Sequence, residues 1–183
     1  MATLGSNAVA QTGDNKFLKF VAIVSSLSGW IAAAFILIAV IITCQMIFVR
    51  FVLNQSTIWQ TEAVVYLMVA ATLLGLPYVQ RLRGHVNVDL LPIMLPQKGR
   101  HGLAVLILLF GIVIIGLVTF YGFEFWYEAW SRNWRSDTVW GVRLWIPYAA
   151  IPIGFGLYLL QLVADLVALL TRVETPFGLE EKG

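Results

Sequence analysis

The sequence has little charge. Lys, Arg, Asp and Glu make up 12% of its 183 residues, against about 25% in a soluble domain. Too few remain to cover a water-facing surface, so no separate soluble domain is expected. Cysteine occurs once, at Cys44, inside an apolar run. That count excludes an intramolecular disulfide, a CxxC redox centre and a cysteine-based metal site. The two histidines, His85 and His101, fall in one loop between apolar runs. Membrane haem ligation needs histidines facing each other from helices, and these do not qualify. A Gly-rich phosphate loop, an HExxH pair and a Ser/His/Asp set are all missing, as is any basic run suited to nucleic acid. No catalytic residue, cofactor site or metal site is expected, and the chain does not read as an enzyme.

What is abundant is apolar. Hydrophobic residues make up 60% of the chain and the mean hydropathy is +0.83. The expected fold is an all-α integral membrane protein forming a single domain over residues 1–183. Four spans are expected at about 20–49, 62–80, 102–123 and 144–170. The first run is too long for a signal-peptide core, which is about 7–15 residues, so it is read as an uncleaved span. Its ~45 Å of helix exceeds a ~30 Å hydrocarbon core. Its ends must therefore project, with Ser25, Ser26 and Ser28 at one interface and Thr43, Cys44 and Gln45 at the other.

The second span is entered past Trp59 and Glu62 and left through Arg81 and Arg83. Glu62 stands about 28 Å of helix from Arg81, so it belongs near the far interface. Arg50 and Glu62 flank one short loop and are placed to pair. After the arginines, Asp89 can cap a short amphipathic helix at about 89–95, with Leu90, Ile93 and Met94 on one face and a stop before Pro96. It serves either as a docking surface or as a plain connector at the membrane surface.

The third span runs into an aromatic segment. Trp126, Trp130 and Trp134 recur at i, i+4 and i+8, so the helix is expected to continue beyond the membrane, with Glu128 and Arg132 as an i, i+4 pair. This segment fits an interfacial aromatic belt or a platform for a soluble partner. In the fourth span Pro152 predicts a kink, and Asp165 falls near an interface.

Four spans put both termini on one side. Lys16, Lys19, Arg81, Arg83, Lys98, Arg100, Arg172 and Lys182 share that side; Arg50, Arg132, Arg135 and Arg143 take the other. Eight against four places the termini in the cytoplasm. No Asp, Glu, Lys, Arg or His lies in the middle of any span. Ion-coupled carriers keep such groups, or broken helices, at midplane. A structural or accessory role is what remains.

At this point the sequence resembles a known family. Trp59-x-x-Glu62, an apolar run ending in Gly75, and Arg83-Gly84-His85-Val86-x-Val88-Asp89-x-Leu91 look like the DctQ family, the small membrane subunit of tripartite ATP-independent periplasmic (TRAP) transporters. Pro152-Ile153-Gly154-Phe155 is similar to that family's closing helix. The resemblance implies two partners besides membrane lipid: a large multi-span subunit carrying the substrate and sodium sites, and a periplasmic binding protein delivering an organic acid. It implies a bacterial inner-membrane location and a role in enlarging the fixed scaffold. In that setting Arg50, Trp59 and Glu62 are expected to organise the outer junction, and His85 and Asp89 the inner turn. Arg132, Arg135 and Asp137 are expected to face the binding protein. Two other readings stay open. One is a small proton-coupled exporter using Glu62, which its interfacial depth opposes. The other is a quinone-binding membrane anchor of a respiratory enzyme, which the histidine placement opposes.

Overall fold

The computed structural model describes residues 16–82 and 97–171. It is helical throughout: α1 (Lys16–Phe51), α2 (Trp59–Arg81), α3 (Gln97–Ser131), a single turn α4 (Trp145–Tyr148), and α5 (Ala150–Leu170). Counting α4 with α5, four helices are long and apolar enough to cross a membrane. A helix closes its own backbone hydrogen bonds, which is why so apolar a chain adopts this form in lipid. His85, Asp89 and the expected interfacial helix at 89–95 lie outside the described residues.

The helices do not close into a compact bundle. α1 packs along α2, α2 along α5, and α5 along α3, with α1 also meeting α5. α5 is the hub, with 33% of its apolar window buried against 6% for the α3 window. Leu18 and Val21 of α1 meet Ala164 and Ala168 of α5 near the Arg81 end of the molecule. Toward the other end α1 and α5 diverge around an apolar groove of about 680 Å³, lined among others by Leu27, Ile31, Leu67, Ile146 and Ile153.

Small residues set the closest approaches. The buried positions of α1 include Ser25, Ser28, Ala32 and Ala39 on one face, and such residues let membrane helices come close. Ser25 and Ser28, expected toward one interface, lie toward the Arg81 end of the molecule and are 2% and 3% exposed, turned into the protein. Their hydroxyls are satisfied there, so burial does not strand them. At Gly154 a Cβ would stand 2.7 Å from the Leu73 Cβ and 2.9 Å from its backbone, so α2 and α5 meet at a contact only glycine allows.

α3 outruns its expected span. It ends where Trp134 N–H donates to Ala129 O at 3.1 Å and Asn133 N–H donates to Trp130 O at 3.1 Å, the paired bonds of a Schellman terminus. Asn133 takes the left-handed conformation at φ 48°, which asparagine tolerates. Trp134 is therefore outside the helix, and the tryptophan stripe stops at Trp130. In the last span α4 runs into α5 through Ala149, whose φ −58° and ψ −25° stay helical, one turn ahead of Pro152. Proline has no N–H for the Tyr148 carbonyl and its ring crowds that carbonyl. The next bond, Ile153 N–H to Ala149 O, is long at 3.3 Å.

Candidate functional site

Polar groups gather at the two ends of the molecule. At one end Glu62 lies in the first turn of α2. Tyr66, one turn on, donates to its carboxylate at 2.6 Å. Thr138 donates to the other carboxylate oxygen at 2.6 Å, and the Ser136 hydroxyl also donates to Glu62. The two hydroxyls lie 3.0 Å from each other. One carboxylate thus ties the start of α2 to the loop between α3 and α4. Arg50 is exposed and, among the described residues, forms no ion pair with Glu62. The Glu62 carboxylate is occupied by hydroxyls, and Arg50 instead ends α1, where a cation suits the helix dipole.

That loop is folded. Ser136 N–H donates to Val142 O at 2.9 Å and Leu144 N–H to Trp134 O at 3.0 Å. These two bonds flank an antiparallel bridge between Arg135 and Arg143. Gly141, at φ 58°, makes the return turn in a conformation that favours glycine. Aromatics hold the loop down. Trp140 stacks at a tilt on Trp59, with centroids 6.2 Å apart. Trp134 packs edge-on against Phe125, and Trp130 lies 4.6 Å from Trp145. Trp126 donates its indole N–H to Trp145 O at 3.0 Å. The expected Glu128–Arg132 ion pair forms at 3.0 Å.

The opposite end carries a second network. Ser25 donates to Gln161 Oε1 at 2.6 Å. Gln161 Nε2 donates to Asp165 at 2.7 Å, and Gln80 Nε2 donates to the other Asp165 oxygen at 2.9 Å. Arg81 donates to Ala22 O at 2.8 Å and to the Ser26 hydroxyl. Three helices are joined there, α1, α2 and α5. The sequence reading took Arg81 as a cation at the cytoplasmic exit of the second span and did not single out Gln80 or Gln161. Their one sequence signal is a polar residue recurring within otherwise apolar runs.

Of the expected site residues, Trp59 and Glu62 are brought together with the 134–144 loop that holds Arg135 and Asp137. Pro152 stands apart, in the first turn of α5. Among the described residues no cluster of His, Cys, Asp and Glu is arranged to hold a metal. Between the two polar ends the helices show lipid-like surfaces: Ile36, Leu37, Val40 and Ile41 of α1, and Leu106, Phe110, Val113 and Leu117 of α3, are all exposed.

The family model describing the DctQ component of tripartite ATP-independent periplasmic transporters matches residues 39–172. The chain belongs to the DctQ family. The match runs from the second half of α1 through the Glu62 loop to the end of α5. The chain is also similar to TeaB of Halomonas elongata, described as an ectoine TRAP transporter small permease protein. The two are 25% identical over 133 residues, covering 73% of this chain and 68% of TeaB. This DctQ subunit is therefore a small permease component of a TRAP transporter and not an enzyme. It is a multi-pass membrane protein, with four helices able to span.

Proposed function

We propose that this DctQ subunit is a fixed scaffold for a large, sodium-coupled transport subunit that imports an organic acid, a carboxylate, across the bacterial inner membrane. Both termini lie in the cytoplasm in this arrangement, following the excess of Lys and Arg on that side. The observation that carries the reading is the separation of polar and apolar surface. Asp, Glu, Lys, Arg and His gather toward the two ends, and none lies in the middle of a spanning helix. A translocation path needs polar groups or opened backbone at midplane. A scaffold needs broad apolar sides, and α1 and α3 have them.

In this reading the exposed faces of α1 and α2 pack on the large subunit. Trp59 and Glu62 organise the outer junction by holding the 134–144 loop, and Arg50 borders it at the end of α1. His85 and Asp89 fix the turn after α2 on the inner side, and Pro152 sets the entry into α5. The outer loop, with Arg132, Arg135 and Asp137, helps receive the periplasmic binding protein. The solute is selected on the other chains. TeaB is named for ectoine, while the organic-acid assignment here follows from the family resemblance.

Purification in mild detergent tests the scaffold role. Recovery of a multi-span polypeptide several times larger supports it. Recovery of this chain alone, or only with copies of itself, overturns it. Glu62→Gln separates it from the exporter reading: loss of proton-driven efflux by the isolated chain would favour the exporter.

A further inference from the structure

We infer that Arg135 and Arg143 form a two-pronged receptor for a pair of carboxylates on a soluble partner. Arg135 and Arg143 are opposite each other in an antiparallel bridge. The flanking bonds, Ser136 N–H to Val142 O and Leu144 N–H to Trp134 O, make them a non-hydrogen-bonded pair. In such a pair the Cα atoms stand about 4.5 Å apart and the side chains leave on the same face. Like charges placed so are destabilising. Among the described residues neither guanidinium has a hydrogen-bond or ion-pair partner. Asp137, the nearest acid in sequence, pairs with neither, and Arg132 is taken by Glu128.

The direction of the pair follows from the alternation of side chains along a strand. Trp134 packs on Phe125, Ser136 reaches Glu62 and Val142 lines the groove. These neighbours all point down onto the helices. Arg135 and Arg143, between them, are exposed and point the other way, off the end of the molecule. A lipid headgroup would approach from the side, so the pair addresses a soluble surface. Guanidinium forks match carboxylates two bonds at a time, which makes the fitting partner a protein presenting two neighbouring Asp or Glu side chains. Glu62 is the positioning residue: it holds Ser136 and Thr138, and with them the face on which the arginines stand.

This inference rests on the reading that the binding protein docks at this end. The test is to titrate the two-subunit permease, in nanodiscs of zwitterionic lipid, with the binding protein of the same transporter. Wild-type affinity is expected to fall as salt rises. Arg135→Glu with Arg143→Glu is expected to weaken binding by ~10-fold or more and to flatten the salt dependence. Arg135→Lys with Arg143→Lys should fall between. Each variant is taken forward once it co-elutes with the large subunit, and the wild-type salt series stands without any variant. Binding that is insensitive both to salt and to the double reversal overturns the receptor and leaves docking intact. No binding by the wild-type permease at any salt overturns the docking reading and this inference with it. If the double reversal spares the binding protein but abolishes binding to anionic phospholipid vesicles, the pair is a headgroup site and the inference fails.

Discussion

Ser25 and Gln161 are 136 positions apart in sequence and 2.6 Å apart in space, hydroxyl to amide oxygen. That bond fastens α1 to α5 where both side chains are buried. The same amide donates to Asp165, which also accepts from Gln80 of α2. Removing one member leaves the others buried without their partners, at about 1–3 kcal/mol per stranded group. Double-mutant cycles within membranes average nearer ~0.6 kcal/mol. Gln161→Leu is expected to lower the thermal midpoint in detergent, and Ser25→Ala to lower it less. The double variant should lose less than the sum, because the two residues share one bond. Strict additivity would show that the bond contributes nothing.

Gly154 and Gly116 make a matched pair. A methyl at Gly154 meets Leu73 side chain and backbone within 2.9 Å, whereas nothing lies within 4 Å of one at Gly116. Overpacking costs about 1–3 kcal/mol. Gly154→Ala should therefore destabilise the chain and separate α2 from α5, while Gly116→Ala should be neutral or mildly stabilising. Thermal denaturation of the two variants side by side is the measurement. Equal midpoints would remove the claim that α2 and α5 touch there.

Glu62→Ala deprives Ser136 and Thr138 of their shared acceptor. Backbone amides between 136 and 144 should then exchange hydrogen faster, with α1, α2 and α5 unchanged. Hydrogen exchange read by mass spectrometry reports this directly. Unchanged protection in the loop would mean that the Trp59–Trp140 contact holds it unaided.

Pro152→Ala restores an N–H opposite the Tyr148 carbonyl. The helix should then close that missing bond, with stronger protection at 149–153. The shift should also disturb the Trp126 bond to Trp145 O, visible as a change in tryptophan fluorescence. Unchanged protection there would show that Pro152 does not loosen the helix.

The four apolar runs were legible because lipid demands them, and so was the place of Glu62 at the start of its helix, far from Arg81, which is simple helix arithmetic. Its partners were not, since Ser136 and Thr138 lie 74 and 76 positions away. The burial of Ser25 and Ser28 was not legible, because small hydroxyl residues suit an interface and a close helix contact equally well. Periodicity carried the tryptophan stripe to Trp134 without seeing the left-handed turn at Asn133 that ends α3. The pairing of Arg135 with Arg143 depends on a turn at Gly141, and nothing in their spacing announces it.

The most direct measurement is solute uptake into vesicles holding the purified DctQ subunit alone, the large subunit alone, or both, with the binding protein and a sodium gradient supplied. Uptake is expected only where the large subunit is present, at full rate only with both, and never from the small subunit by itself. Sodium-driven or proton-driven uptake by this chain alone would contradict its role as a scaffold.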